Sequence, residues 1–489
     1  MIINTIILSQ QPSIIYWVTL LIILILIIIL AYFYLEWKTW SLFKEEKYLE
    51  KIIQKRTDFL KTEIDKVEHL LSNVLPKETA DELKNTGKVR SQKYELISVL
   101  FSDIQGFTKI AKEMEAEELI NQLDTIFYNF DLIVEKFHIE KIKTIGDAYM
   151  CAGGIPYKNR TNPVEVVLAA LEMQQSMKDF SLKSPVNWQI RIGIHTGPAI
   201  AGVVGRKRLS FDIWGDTVNT AKRLEATGAP GKINISGHTY EYIKDFFDCE
   251  YRGKLPVKNI GAVEMFFVKE IKPELYDSVM NVPNKVFINK LQLLRLKDLE
   301  FEITTKIKEE LPINLYFNNI EHTLEAYKLV EILGMEENVS NEDLLLLRTA
   351  VLLHDIGFIW IYEDHEIVSS EYAKKILITY HYTPEQIDRI SKLIISTQTQ
   401  KTKDLLEKIM NDALNAYMRK KNYIEKLEKL FLQMKEKNKI SNEKSWYMDQ
   451  IKYFSTFEFY TNAANKFKEI QPEDENEIIL SIKSKLNVI

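Results

Sequence analysis

The chain has 489 residues, 46% apolar and 27% charged, which excludes a mostly disordered or collagen-like protein and calls for two or three folded units with connectors. Its 64 basic and 69 acidic residues leave a net charge of −5, so overall charge gives no reason to expect nucleic acid as a partner. Two widely separated cysteines, Cys151 and Cys249, exclude a disulfide scaffold and a Cys-rich zinc module and fit a reducing compartment.

No charged residue precedes Glu36, and residues 14–35 read IIYWVTLLIILILIIILAYFYL. That is the length a transmembrane helix needs, about 20 apolar residues. Tyr16, Trp17, Tyr32, Tyr34 and Trp37 flank it as interfacial anchors. A signal peptide fits less well, because there is no basic start, no small-residue cleavage site, and the apolar run is too long. Lys38, Lys44, Lys47, Lys51, Lys55 and Arg56 all follow the span. The positive-inside rule then puts residues 1–13 outside and the rest in the cytoplasm, as a single-pass protein of the cell membrane. Thirteen outer residues are too few for a sensor. Sensing would fall to a membrane partner, or the chain is the C-terminal part of a larger ancestral receptor.

Residues 36–75 are expected to form a signalling linker. Leu49, Ile53, Leu60, Ile64, Val67, Leu71 and Val74 follow a mostly 3-4 spacing, broken near Arg56 and Thr57 like a stutter. A solvated amphipathic helix and a parallel coiled coil both satisfy this stripe; a span that aligns two chains favours the coiled coil. Pro76 punctuates it, and a helical connector, Lys77–Lys88, occupies residues 76–92.

A first cytoplasmic domain is expected over residues 93–272. Glu95–Phe101 reads as a buried strand running into Ser102-Asp103-Ile104-Gln105-Gly106-Phe107-Thr108 and then a helix. An Asp at a strand end before a Gly turn suits a metal–phosphate site, although such an Asp is often only a helix cap. Residues 139–154, IEKIKTIGDAYMCAGG, read as a hairpin with Gly146-Asp147 at its turn. Two Asp residues at neighbouring strand tips can hold two metals around a triphosphate. IRIGIHTGPAIAGVVG (190–205) and FDIWGDTVNTAKRLEA (211–226) follow, with Asn219 and Arg223 on one helix face. An amide and a guanidinium there suit a ribose and the charge growing on a phosphoryl group.

FSDIQGFT, KTIGDAYM, GIHTGPAIAGVVG and FDIWGDTVNTAKR, in this order, resemble the class III nucleotide cyclases. The resemblance implies a ferredoxin-like α/β fold, a head-to-tail homodimer with shared sites, and two Mg²⁺ or Mn²⁺ ions. It implies Asp103, Asp147 and the Ile104 carbonyl as metal ligands. Gly106, Phe107 and Thr108 would lie along the triphosphate, with Lys258, or next Lys254, as its lysine. Asn219 and Arg223 would be the transition-state pair reaching in from the opposite subunit, and Lys143 and Asp212 the base-selecting positions. Gln105 stands where an acidic residue is commoner, at a position that is not a ligand. Guanylyl enzymes of the family place Glu and a small residue at the base-selecting positions. A Lys can donate to adenine N1 and an Asp can accept from its 6-amino group, whereas guanine presents the reverse pattern. The expected activity is therefore adenylate cyclase: ATP to 3′,5′-cyclic AMP and pyrophosphate, in signal transduction.

Residues 273–305 are expected as a linker, 306–470 as an all-α domain and 471–489 as a tail. Leu344–Leu353 is apolar and ends in His354-Asp355, with His322 upstream and His365 and Asp412 downstream. Such a set can bind metal. EHT (321–323), LLHDIG (352–357), HEIVSSEYA (365–373) and NDA (411–413) resemble the HD-domain metal-dependent phosphohydrolases. That likeness implies His322, His354, Asp355 and Asp412 as ligands of a divalent metal. Phe317-Asn318-Asn319 stands where related enzymes often have Tyr-His-Asn, and Asp-Ala-Leu (412–414) where Asp-Ala-Asp is commoner, so retained metal binding with altered chemistry is as well supported as hydrolysis. Two other readings stay open: a nucleotide phosphohydrolase gated by the first domain, and a non-enzymatic signalling scaffold.

Overall fold

The computed structural model describes residues 3–72, 75–205, 209–257, 261–399, 402 and 404–486. Contacts divide the chain into two units: Met1–Arg90 with Val203–Phe211, and residues 91–202 with 212–489.

In the first unit, α1 (Ile3–Ser72) is a continuous helix of 70 residues, about 105 Å long at 1.5 Å per residue. It runs through the Arg56–Thr57 break in the apolar stripe without interruption, because no Gly or Pro there removes a backbone bond. Its apolar stretch has a mean hydropathy of 3.1, is not buried, and is long and apolar enough to cross a membrane. Leu49, Ile53, Leu60, Ile64 and Val67 are exposed on it; Val74 lies outside the described residues. A second helix, α2 (Lys77–Thr86), follows Pro76 and ends at Gly87, whose φ of 70° lets its N–H cap the Leu83 carbonyl.

The second unit begins with an α/β layer. In chain order it contains β1 (Gln92–Ile104), α3 (Phe107–Glu113), α4 (Ala116–Lys136), β2 (Glu140–Ile145), β3 (Ala148–Gly153), α5 (Asn162–Lys183) and β4 (Ile190–Val204). After these come β5 (Ser210–Trp214), α6 (Asp216–Ala226), β6 (Ile233–Ser236), α7 (Gly237–Ile243), β7 (Phe247–Val257) and β8 (Gly261–Ile271). The strand order is β2-β3-β1-β4-β6-β8-β7, with β5 on β4. β1 and β4 lie centrally, and β1 is a near-continuous apolar run because both its faces are covered. α4 lays Ile126, Phe130, Ile133 and Val134 on the sheet core of Leu100, Ile192, Ile194 and Ile235. Burying a side chain of this kind contributes about 1.5–3 kcal/mol.

The stretch expected as a linker holds a ribbon and a helix. A two-strand ribbon pairs Tyr276–Asp277 with Val282–Pro283. It leads into α8 (Lys285–Glu310), N-capped by the Asn284 side chain. Apolar residues recur along the whole helix. Phe287 and Leu291 therefore join the α/β core, while Leu296, Leu299, Ile303 and Ile307 join the next one.

That next core is all helical: α9 (Ile320–Glu336), α10 (Asn341–Leu353), α11 (His365–Thr379), α12 (Pro384–Thr399), α13 (Leu405–Leu414) and α14 (Tyr423–Glu436). Helices Glu443–Thr456, Asn462–Lys466 and Pro472–Leu486 follow. The expected tail is one of them, and its Ile482 is fully buried.

Candidate functional site

In the α/β layer, antiparallel pairing places the end of β1 beside the β2–β3 turn. Ser102 pairs with Tyr149, so Asp103 and Ile104 lie opposite Ala148 and Asp147. Gly106 (φ 72°) turns the chain into α3; any larger residue would be strained there, although space is open. Gly146 (φ 64°) plays the same part before Asp147. Burial raises the Asp147 pKa, and the neighbouring Asp103 charge adds to the shift; backbone hydrogen bonds oppose it. Two repelling carboxylates on rigid strand ends suit a divalent cation, whose charge would relieve the repulsion.

The sequence reading missed Arg191. It pairs with Asp103 in the β1–β4 register, and its Nη2 donates to Asp103 Oδ2 at 2.7 Å. The same nitrogen lies 3.1 Å from Glu225 Oε1, and Lys222 Nζ lies 2.8 Å from Glu225 Oε2. Glu225 is 1% exposed. Burial raises its pKa, against the opposing pull of Lys222 and Arg191. Arg191 stands two residues before the Gly-rich run that starts at Gly193, and only strand register shows that it meets Asp103.

Lys143 Nζ contacts Asp212 Oδ2 at 2.5 Å, while Asp212 Oδ1 accepts from Ile213 N–H at 2.9 Å. A residue on β2 and one on β5, 69 apart in sequence, therefore form one donor–acceptor pair. On α6 the buried face carries Thr217, Thr220, Ala221 and Leu224. Asn219 and Arg223 occupy the exposed face, and their side chains make no hydrogen bond or ion pair among the described residues. They are thus not joined to Asp103 or Asp147 within one chain. Phe107 is half-buried, and Gly106 and Thr108 are exposed. Lys258 lies outside the described residues, and Lys254 is exposed on β7 opposite Glu264.

A second cluster lies in the helical core. His322 sits in the first turn of α9, capped by Asn319. His354 and Asp355 end α10. Ligand atoms of His322, His354 and Asp355 lie within 4.8 Å of one another, all three buried. His354 Nδ1 is 2.7 Å from the Val351 carbonyl. A carbonyl only accepts, so Nδ1 carries a proton and Nε2 presents the lone pair, 3.1 Å from Asp355 Oδ1. Two acceptors at that distance need a proton or a cation between them, so the donor set fits a metal ion. Burial works against a charged His354, yet Asp355 raises its pKa. Burial opposes the Asp355 charge, but the surrounding imidazoles hold it well below the usual carboxylate range. Burial brings His322 down to about 4.

Asp412, the fourth residue of the expected ligand set, is engaged within the chain. Its carboxylate accepts from Tyr460 N–H (2.9 Å), Thr461 N–H (2.8 Å) and the Thr461 hydroxyl (2.7 Å). It holds the backbone just before the Asn462–Lys466 helix, which Thr461 caps, and is absent from the three-residue group. Closer to that group is His365, the first residue of α11, whose Nε2 lies 3.5 Å from Asp355 Oδ1. Asn318 Nδ2 donates to Asp355 Oδ2 at 2.9 Å. An amide thus stands against the Asp355 carboxylate, and an amide cannot serve as a proton donor in general acid catalysis.

Residues 89–270 match the adenylate and guanylate cyclase catalytic domain, and residues 319–431 match the HD domain. Guanylyl cyclase C of Homo sapiens is 37% identical over 255 residues, covering 50% of this chain and 23% of that protein. Retinal guanylyl cyclase 2 of Bos taurus is 37% identical over 226 residues, covering 45% and 20%. The chain thus spans less than a quarter of these relatives' length. Two solved structures are also similar. The guanylate cyclase domain of RhGC from Catenaria anguillulae with GTP has 34% identity, covering 37% of this chain and all of that one, with a TM-score of 0.36. The adenylyl cyclase CyaB from P. aeruginosa has 31% identity, covering 38% and 99%, with a TM-score of 0.36.

Proposed function

We propose that this chain, which joins a class III cyclase catalytic domain to an HD domain, is a membrane-anchored adenylate cyclase. The observation that carries the choice of ATP is the Lys143–Asp212 pair, with one Asp212 oxygen fixed by Ile213 N–H. A fixed donor–acceptor pair matches the N1 and 6-amino edge of adenine, and guanine would leave both groups mispaired, at about 1–3 kcal/mol per buried mismatch. The proteins named above include guanylyl cyclases and one adenylyl cyclase, so this residue chemistry, rather than overall similarity, supports the assignment.

Asp103, Asp147 and the Ile104 carbonyl would hold two divalent cations, Mg²⁺ or Mn²⁺, which would acidify the ribose 3′-hydroxyl and neutralise the triphosphate. Gly106, Phe107 and Thr108 follow the phosphates with Lys258. Arg191, which bonds Asp103 Oδ2, would compete with a cation for that carboxylate and, once displaced, could bond a phosphate oxygen. The 3′-oxygen bonds to the α-phosphorus, the bond from that phosphorus to the bridging oxygen breaks, pyrophosphate departs, and the hydroxyl proton passes to solvent. Asn219 orients the ribose and Arg223 stabilises the developing charge, both from the second subunit of a homodimer. Their exposure and lack of partners in one chain support that arrangement. α1 crosses the cell membrane once with the catalytic domains in the cytoplasm, and its exposed stripe pairs two chains; a membrane partner supplies the stimulus.

The test is the full chain in lipid nanodiscs with Mn²⁺ and either ATP or GTP. Cyclic AMP, abolished by Asp103→Ala, is expected; cyclic GMP as the main product would overturn the substrate assignment. The convergence of His322, His354 and Asp355 favours a second reading, an HD nucleotide phosphohydrolase. Phosphate release without cyclic product, lost in Asp355→Ala, would identify it.

A further inference from the structure

The HD metal group and the cyclase site are connected by a continuous set of rigid parts. α11 starts at His365, against Asp355. That approach requires Gly357: a Cβ there would lie 2.1 Å from the His365 carbonyl oxygen. The Gly357 N–H is also bound by Ser369 Oγ of α11 at 2.8 Å. The Phe358 ring stacks on His365 at 3.6 Å between centroids. The first turns of α11 therefore follow any movement of the Asp355–Phe358 turn. Fifteen residues later, about 22 Å along the helix, α11 ends on the cyclase domain.

Two contacts form that landing. The Tyr380 carbonyl accepts from Gln292 Nε2 at 2.9 Å. Gln292 Oε1 accepts from Arg295 Nη1 at 3.1 Å, and Arg295 Nη2 bonds Glu165 of α5 at 2.9 Å. Beside this relay the His381 ring stacks on His138, with centroids 4.3 Å apart. Both histidines are left-handed, with φ of 57° and 54°, and each ends its helix in the same way. The next residue's N–H reaches back five positions, Tyr382 to Leu377 and Ile139 to Val134, as in a Schellman cap. Two tightly capped helix ends, α11 and α4, thus meet ring to ring. His138 is followed within two residues by β2, which carries Lys143 and leads into the turn bearing Asp147.

We propose that a divalent cation in the HD group acts as an allosteric effector of the cyclase site, and that α11 transmits it through the His381–His138 stack, the Gln292–Arg295–Glu165 contacts only anchoring the end of α11. The switch is the start of α11. Without a cation, Asp355 Oδ1 faces both His354 and His365. A cation bound to Asp355 and His354 takes that oxygen's lone pairs, so His365 either joins it or lets go, and the first turn of α11 re-seats. A rigid helix carries the shift to Tyr380 and His381. Cation binding orders the joint and β2, and so tightens nucleotide binding; by linkage, nucleotide tightens cation binding equally. The meaning of the coupling rests on the cyclase reading, but its existence does not require turnover.

The experiment is hydrogen exchange on the full chain in nanodiscs, without nucleotide, carrying Asp103→Ala and Asp147→Ala so that the cyclase carboxylates hold no ion. Mn²⁺ is expected to slow exchange about fivefold or more both in 352–381 and in 138–153. Adding Asp355→Asn should remove both effects. Adding His381→Asn, which tolerates the left-handed backbone but loses the ring, should keep protection at 352–369 and lose it at 138–153. His138→Asn tests the same joint from the other side if His381→Asn fails to fold. Protection confined to 352–381 in the parent chain, no protection at 352–381, or protection of 138–153 that survives loss of the stack would each overturn the proposal. Absence of cyclic product from the unmutated chain would overturn the cyclase reading alone.

Discussion

Lys143 and Asp212 illustrate what single side chains decide. Their pairing in the protein without nucleotide means that the base exchanges one set of polar partners for another, so mispaired bases are penalised without loss of the fold. Lys143→Glu with Asp212→Cys should lower the ATP-over-GTP ratio of kcat/KM by about 10–200-fold, measured with both nucleotides under matched Mn²⁺. His195 shows the reach of burial. It bonds Ser236 Oγ at 2.7 Å, and burial, helped by the charge of His238, brings its pKa down to about 4. The unfolded chain takes up that proton near pH 6.5 and the folded one does not. Stability of the cyclase domain should therefore fall as pH drops from 6.5 to 4, by at most about 3 kcal/mol. Denaturant titrations at stepped pH should show this slope, and His195→Gln should flatten it.

At the scale of elements, close approach of α6 to β4 places the Asn219–Arg223 face. A Cβ on Gly193 would lie 2.0 Å from the Glu225 backbone nitrogen and 2.6 Å from the Ala221 carbonyl oxygen. Backbone cannot yield as a flexible side chain does. Gly193→Ala should cost about 3 kcal/mol of stability and push α6 outward, which thermal unfolding and cyclase assays would both register. α8 belongs to two cores at once, so a polar substitution in either half should weaken both domains. Leu299→Asp should lower the unfolding midpoint of the cyclase domain as well as that of the HD domain.

At the scale of the whole molecule, the proposed homodimer has each chain contribute one half of each site. Asp103→Ala and Arg223→Ala chains should each be nearly inactive alone. Mixed during co-expression, they should recover up to about a quarter of wild-type activity, since half of the dimers are mixed and each mixed dimer has one intact site. No recovery would place both halves within one chain. The exposed stripe and the uninterrupted course of α1 make the pairing depend on that helix, so substituting Leu60, Ile64 and Val67 with Asp should lower specific activity most at low protein concentration.

The residue pattern alone marked the apolar span, the strand–turn–helix around Asp103, the hairpin turn at Asp147, the α6 face and the His354-Asp355 helix end, because each rests on local periodicity or on residues close in sequence. It could not reveal Arg191 on Asp103 or His365 on Asp355, since register and helix packing join residues 88 and 10 apart. Nor could it show that Asp412 turns to Thr461, or that the helical stretch after Pro283 is shared by two cores. Those outcomes depend on which of several chemically equivalent partners lies within about 3 Å, and that distance is set by packing of the whole chain rather than by any short stretch of it.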